Sequence, residues 1–245
     1  MRLSWHSNWK ITLLVCVILP VLFNLGFWQL DRAEEKRELQ KRYAAQESKP
    51  PLTSGELSGS ADIPNLAYRR VILEGRYLQE YTALLDNQIV DGRPGYHVVT
   101  LFNAIEADTY LWINRGWIPG NLNRELPAVP PVSPDRLMVQ GSIYIAPGEA
   151  VLLSSDDWSE GWPVRVQSLD MARLSARAGE ALGGIKPYQL FSHSIRLDRE
   201  AAGALDVDWQ VINTRPEKHT GYAVQWFAMA LALFIFWLFL SFKRR

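Results

Sequence analysis

The stretch ITLLVCVILPVLFNLGFWQL, residues 11–30, contains no charged residue, and the prediction of the fold starts from it. As a helix rising about 1.5 Å per residue, it is long enough to cross a hydrocarbon layer of ~30 Å. It is longer than the apolar part of a typical signal peptide, and no small-x-small cleavage site follows it. We therefore predict a retained transmembrane helix over 11–30, kinked at Pro20, in which Asn24 needs a hydrogen-bond partner.

A second uncharged run, YAVQWFAMALALFIFWLFLSF at 222–242, is followed directly by Lys-Arg-Arg. If the chain crosses the membrane twice, its two basic ends face the same side, and the positive-inside rule places them in the cytoplasm. The predicted organisation is a cytoplasmic segment 1–10, a transmembrane helix 11–30, an extracytoplasmic domain 31–221, a transmembrane helix 222–242 and a cytoplasmic segment 243–245.

Charge and cysteine content exclude several classes of function. All 26 acidic residues but only 21 of the 26 basic residues lie in 31–221, which gives the central domain a formal charge of −5. An acidic domain argues against nucleic acid as a partner. The single cysteine, Cys16, lies in an apolar run, so the chain can form neither an intrachain disulfide nor a two-thiolate metal site.

The central domain reads as a series of short strands. Alternating patterns with many β-branched and aromatic residues predict strands at 70–77, 82–90, 96–102, 109–115, 137–145 and 208–213. VDGRPGY, at 90–96, is typical of a hairpin turn. Helices are predicted over 31–46 and over 168–178, the latter opened by Ser168, with a linker at 48–64. The predicted fold class is α+β: two transmembrane helices flanking an extracytoplasmic, antiparallel β-rich domain, curled or barrel-like, with a few helices.

No catalytic motif stands out. GxSxG, GxxxxGK[ST], CxxC and HExxH are all absent from the sequence, so an enzyme is not predicted. The four histidines are widely spaced along the chain, and their spacing indicates no metal cluster. His97 and His193 read as ordinary half-buried or surface residues.

His219 is different because of its neighbours. The first span leaves the membrane on the face where the second enters it, so the ends of both helices lie at one depth. This brings Trp28, Gln29 and Arg32 of the first helix to the depth of His219, Tyr222, Gln225 and Trp226 of the second. One interpretation is an ordinary interfacial belt of aromatic and cationic residues. The other is a site for a planar amphipathic ligand, for which haem, a quinone or a lipid headgroup remain open; an imidazole can ligate iron and a guanidinium can pair with a carboxylate.

Five blocks that occur in a fixed order carry a resemblance to a known family. They are GFWQLDR (26–32), YRRVILEGRY (68–77), GRPGYHVVTLF (92–102), NRGWIP (114–119) and KHTGYAVQWFAMA (218–230). Together they resemble the Surfeit-locus family of cytochrome oxidase assembly proteins, and the resemblance spans nearly the whole chain.

The resemblance implies a non-catalytic assembly factor for a haem–copper terminal oxidase, in a bacterial inner (cell) membrane with its central domain periplasmic. It implies transient binding of haem a, with His219 as the iron ligand and Trp28, Gln29, Arg32, Tyr222 and Trp226 around it. The implied partners are membrane lipid, the catalytic subunit of the oxidase and, as a candidate, haem a synthase.

Other readings stay open alongside this one. The chain has Lys218 where many relatives carry asparagine, and Leu101 where they tend to carry proline. A cofactor-free scaffold that stabilises an oxidase subunit is the main alternative, and an anchored sensor is a weaker one. Arg115 and Trp117 are candidate partner contacts, although a structural role, with Gly116 turning the chain and Trp117 packed into the core, is slightly favoured.

Overall fold

The computed structural model describes residues 3–5, 8–58, 66–121, 125–145, 158, 161–183, 189–209 and 214–244. The chain divides into two compact units. One comprises Met1–Ala44 and Gln210–Arg245, and the other Ala45–Trp209. We call the first the helical unit and the second the β domain.

Two long helices form most of the helical unit: α1 at Trp9–Glu47 and α4 at Pro216–Ser241. Both are long and apolar enough to cross a membrane. α1 runs without a break through 31–46, so the first predicted span and the helix predicted after it are one element. The side-chain amide of Asn24 donates to the carbonyl of Pro20 at 3.0 Å, within its own helix. Two short strands, β1 (Leu3–Trp5) and β8 (Phe242–Arg244), pair antiparallel.

The β domain is built on a six-stranded mixed sheet. Its strands are β2 (Arg70–Val90), β3 (Arg93–Ala104), β4 (Thr109–Pro119), β5 (Leu137–Tyr144), β6 (Val164–Val166) and β7 (Leu190–Leu197). They pair in the order β3-β4-β7-β5-β2-β6, and β3 also pairs with β2. The extra pairing closes a ring of five strands, β2-β3-β4-β7-β5, as in a barrel. The prediction of a curled or barrel-like β-rich domain is thus confirmed.

Two details of the sheet differ from the prediction. First, β4 pairs with β7 and β2 with β6 in parallel, so the sheet is mixed rather than purely antiparallel. Second, the strands predicted at 70–77 and 82–90 form one element, β2. Its register with β3 shifts between Leu78 and Thr82, which lets the strand bend and continue. Its first part, 70–75, pairs with β5 and the remainder with β3.

The predicted helix near 168–178 is α3, Met171–Leu182. It begins later than predicted because Asp170, not Ser168, is its N-cap and accepts a hydrogen bond from the backbone N–H of Arg173 at 3.0 Å. A further short helix, α2 (Ser54–Ser58), lies in the predicted linker. No strand begins at residues 208 and 209, and the rest of the strand predicted at 208–213 falls outside the described residues.

Alternating side chains divide the core between the two faces of the ring. One cluster of buried residues includes Leu73, Phe102, Ile113 and Ile195. The other includes Leu101 and Trp112 and packs against α3 through Leu174 and Ala178. Because neighbouring residues in a strand face opposite ways, Leu101 and Phe102 belong to different clusters.

Candidate functional site

Small residues allow α1 and α4 to approach closely. In α1, Gly26 and Ala33 are buried, and in α4 Ala223 is buried as well. The ring of Phe227 stands directly over Gly26, so that a Cβ added there would lie 2.6 Å from two ring carbons. Close packing over small residues is the usual way in which transmembrane helices associate. Side chains next to this contact can therefore reach the other helix.

Gln29 and His219 meet across this contact. Gln29 follows Gly26 by three residues and precedes Ala33 by four, so it shares their helix face. His219 precedes the buried Ala223 by four residues in the same way. The Nδ1 atom of His219 lies 2.7 Å from the Oε1 atom of Gln29. A carbonyl oxygen can only accept, so a hydrogen bond here needs the proton on Nδ1, and a neutral imidazole in that tautomer would keep the Nε2 lone pair for another ligand.

Trp28 and Arg32 lie on a different face of α1. Trp28 is 49 % exposed, and the guanidinium of Arg32 is 5.8 Å from the centre of its indole. Nη1 of Arg32 also donates to Glu35 at 2.6 Å, and both side chains are about half exposed. The cation that the sequence assigned to an anionic ligand thus already has a carboxylate partner. An exposed pair of this kind contributes little to stability, so a ligand carboxylate can compete for Arg32.

The structure brings the predicted site residues together only in part. Gln29 contacts His219, and Trp28 contacts Arg32. Tyr222 is half exposed, and Trp226 is partly buried. Among the described residues, no hydrogen bond joins either of these two aromatic side chains to His219.

Sequence reasoning overlooked two neighbours of this region. Glu35 pairs with Arg32 and also lies near His219. Nη2 of Arg37 donates to the hydroxyl of Thr220, one residue after the histidine, at 3.1 Å. The i,i+3 spacing of Arg32 and Glu35 was a usable signal for the ion pair. The contact of Arg37 with Thr220 had none, since it depends on how the two helices are rotated.

In the β domain, Arg115 and Trp117 are both buried. Arg115 is 1 % exposed and Trp117 is 4 % exposed. Nε of Arg115 donates to the carbonyl of Gly203 at 2.8 Å, and Nη1 donates to that of Pro130 at 3.1 Å. The indole N–H of Trp117 donates to the carbonyl of Gln88 at 3.0 Å. This burial favours core packing over partner contact, and partner contact by these side chains stays a prediction.

The glycine between them has a conformational role. Gly116 has φ of +119°, a region that favours glycine, and a Cβ there would lie 2.6 Å from the carbonyl oxygen of Asp206. Backbone bonds join the two segments: Trp117 N–H donates to Asp206, and Leu205 N–H donates to Arg115, both at 2.7 Å. The NRGWIP part of β4 therefore binds the chain segment around residue 205 through backbone hydrogen bonds.

A second polar cluster in the β domain is centred on Arg196. The guanidinium of Arg196 lies 3.4 Å from the ring centre of Tyr144 and 4.9 Å from that of Trp209. His97 packs edge-on against Trp209, with ring centres 5.2 Å apart. Burial, and to a smaller extent the charge of Arg196, lower the pKa of His97 to about 4. His97 is therefore a neutral packing residue near pH 7, as its sequence context indicated.

The described residues contain no group of three or more His, Cys, Asp or Glu side chains that could hold a metal ion. Single-histidine ligation of a cofactor's own metal is a different chemistry and needs no such group. The imidazole of His219 is half-buried, and Gln29 is the partner that orients it.

Comparison with known proteins agrees with the resemblance seen in the sequence. Residues 16–231 match the SURF1 family. A SURF1-like protein of Drosophila melanogaster is 25 % identical over 232 residues, which cover 88 % of this chain and 72 % of that protein. A SURF1-like protein of Rickettsia felis is 32 % identical over 110 residues, covering 44 % of this chain and 46 % of its own length. In Mycobacterium bovis, an uncharacterised SURF1-like protein is 24 % identical over 212 residues.

The matched stretch thus spans less than half of the Rickettsia felis relative, but the family match includes most of α1, the whole ring of strands and more than half of α4. A match over 16–231 of 245 residues is far more than half of the chain. The chain belongs to the SURF1 family.

Proposed function

We propose that this chain is a membrane-anchored assembly factor for a haem–copper terminal oxidase and that it binds haem a as cargo for the catalytic subunit. Membership in the SURF1 family supports a role in oxidase assembly and not in catalysis. The observation that carries the haem proposal is the 2.7 Å contact between Gln29 and His219, which leaves one imidazole nitrogen available.

The donor set fits haem a. His219 would supply the iron ligand through Nε2. Arg32 would pair with a propionate after releasing Glu35, and the exposed indole of Trp28 would cover part of the macrocycle. Haem a would supply the iron and the anionic groups, and the protein would hold both at the membrane boundary. One protein histidine gives exchangeable ligation, which suits a carrier more than a permanent redox centre.

The test is an absorption spectrum and a pyridine haemochrome assay of the detergent-purified chain, made in cells that synthesise haem a. We expect haem a in the wild type, and loss of most of it in His219→Ala. The matched control is His193→Ala, which removes a histidine from the β domain. A His219→Ala protein with full haem content and an unchanged Soret band would exclude His219 as the ligand.

A cofactor-free scaffold is the second candidate function, and one observation favours it. Arg32 is already paired with Glu35, and Trp28 and Tyr222 are about half exposed, as expected for side chains that pack against lipid or a partner's helix. Co-purification with an oxidase subunit, without absorbance above the protein background, would support this function instead.

The proposed orientation places both termini in the cytoplasm and the β domain in the periplasm of a bacterial inner membrane. It rests on the basic residues that border the two apolar runs. Cysteine introduced at Ser133, in a Cys16→Ser background, should react with an impermeant maleimide in intact spheroplasts. Cysteine introduced near the C-terminal basic residues should react only after lysis, and the opposite pattern would reverse the topology.

A further inference from the structure

Gln29 occupies a position that the resemblance assigned to ligand contact, but its side chain points elsewhere. Its Oε1 atom faces Nδ1 of His219 at 2.7 Å, and its backbone lies on the helix face that contains Gly26 and Ala33. Trp28, the residue before it, is on the exposed face. Gln29 therefore contacts the histidine and not the space in which a ligand of Trp28 and Arg32 would lie.

We infer that Gln29 is a positioning residue, which holds His219 in the Nδ1–H tautomer with Nε2 unprotonated and fixes the rotation of the imidazole. This inference rests on the proposed function for its purpose, but the tautomer itself is a property of the protein without ligand.

The chemistry follows from the inventory of donors and acceptors. A neutral imidazole has one N–H and one lone pair, and a hydrogen bond at one nitrogen decides which of the two is available at the other. Metal-binding histidines almost always donate their second N–H to an oxygen, which sets the tautomer and increases the basicity of the ligating nitrogen. A carboxamide oxygen serves this purpose without adding charge at a membrane boundary.

The surroundings of Gln29 and His219 explain why these two side chains contact each other. Gly26 brings the helices close enough for the glutamine to reach across, because the Phe227 ring occupies the space that a Cβ would fill. Glu35 and the exposed Lys218 provide charges near the histidine, but no hydrogen bond from either to His219 is found in the described part of the chain. The Gln29 amide is thus the group that acts on the ring directly.

The experiment reads the tautomer directly. The full chain, with ¹⁵N-labelled histidine, is placed in lipid nanodiscs without haem, and long-range ¹H–¹⁵N spectra are recorded near pH 8. The His219 signals are identified by their loss in His219→Ala. We expect Nε2 to resonate as an unprotonated nitrogen and Nδ1 as a protonated one. Gln29→Leu should shift the population toward the Nε2–H form, and Gln29→Glu should retain Nδ1–H because a carboxylate also accepts.

The matched control is Gln225→Leu, which removes an exposed glutamine from α4. A wild-type spectrum with Nε2 protonated, or a His219 tautomer that Gln29→Leu leaves unchanged, would overturn the inference. Loss of helix packing is recognised separately, in a sample with ¹⁵N-labelled tryptophan, by the indole N–H of Trp237, which donates to the hydroxyl of Thr12 in α1 at 3.1 Å.

A binding measurement tests the purpose. With ferric protoporphyrin IX as the probe, Gln29→Leu should weaken binding by about 10- to 100-fold, the usual effect of removing such a partner, whereas Gln29→Glu and Gln225→Leu should stay within a few-fold of the wild type. Unchanged affinity in Gln29→Leu, combined with a changed tautomer, would refute the positioning role. Failure of the proposed function looks different: the probe would then bind His219→Ala as well as the wild type.

Discussion

Replacing Arg115 by methionine tests whether this arginine is structural or part of a partner surface. Its guanidinium is 1 % exposed and donates to the carbonyls of Gly203 and Pro130. Hydrogen bonds from a charged donor contribute about 1.5–3 kcal/mol each, so losing both should lower the free energy of unfolding of the β domain by about 3–6 kcal/mol. Methionine retains most of the volume, but it leaves the carbonyl of Gly203 without this donor, whereas the carbonyl of Pro130 keeps a long hydrogen bond from Gln79 at 3.5 Å.

The assay is a urea titration of the full chain in detergent, with the folded fraction of the β domain read by pulse proteolysis. Arg115→Lys should lie between the variants, because an ammonium cannot reproduce the planar fork that reaches both carbonyls. Arg76→Met is the matched control, since Arg76 is exposed on β2.

Two results would refute the reasoning. One is a loss below about 1 kcal/mol, comparable to Arg76→Met, since surface substitutions usually have effects of that size. The other is an Arg115→Met protein of normal stability that no longer co-purifies with the oxidase subunit. That outcome would restore Arg115 as a partner contact.

Three further predictions concern single groups. Gly26→Leu should overpack the contact with Phe227 and lower the stability of the helix pair by about 1–3 kcal/mol. It should also shift the His219 tautomer as Gln29→Leu does, measured by the same ¹⁵N spectra. His97 has a pKa of about 4 in the folded state and about 6.5 in the unfolded state, so the unfolded state binds the extra proton between these values. As the pH is lowered from 6.5 to 4, the free energy of unfolding should therefore fall by up to about 3 kcal/mol. His97→Gln should flatten this slope in urea titrations at each pH. Glu35→Gln should free Arg32 and raise the affinity for ferric protoporphyrin IX up to about fivefold in absorbance titrations.

Each of these predictions has a control within the chain. Gly221→Leu should leave the His219 tautomer unchanged, because a Cβ at Gly221 meets nothing within 4 Å. The pKa of His193 is also lowered by burial, so some acid sensitivity should persist without His97; an identical pH slope in His97→Gln would contradict the assignment. Glu38→Gln, which breaks the pair with Arg42, should leave the probe's affinity unchanged, and an equal gain there would point to a general charge effect.

The two long helices were predictable because their signal is local. An uncharged run of the right length predicts a span from composition alone, whatever it packs against. The extension of α1 beyond the apolar run was also predictable, since the polar sequence from 31 to 46 is helical in character and continues a helix that leaves the bilayer. Ion pairs such as Arg37 with Glu34 support it there, and the sequence gives no breaker between the two parts.

The sequence was enough to predict a β-rich domain, but not which strands pair with each other. β7 pairs in parallel with β4, and Ile113 lies opposite Ile195, more than eighty residues later. Alternation marks strands but does not identify their partners, and LFSHSIRL was missed because serine and histidine interrupt its apolar positions. The single strand β2 was split in the prediction because LQEYT, at 78–82, breaks the period of two where the bulge occurs.

For the candidate site, the sequence likewise could not show how α1 and α4 are rotated about their own axes. Spacing placed seven side chains at one depth, which describes only their height along the two helices. Which of them meet depends on how each helix is turned about its axis, and close packing at Gly26 determines this. Sequence reasoning therefore named Gln29 and His219 correctly as neighbours in depth but could not give their hydrogen bond.

The block GFWQLDR separates into two faces once that rotation is known. Gly26 and Gln29, three residues apart, face α4, whereas Trp28 and Arg32, four apart, share the exposed side. Substitutions in these seven residues should accordingly fall into two classes. Changes on the inner face should alter the tautomer of His219 even without ligand, and changes on the outer face should alter affinity for an anionic planar ligand while the tautomer stays fixed. A block that appears to be one motif in the sequence would then have two separable roles: orienting the histidine and holding what binds to it.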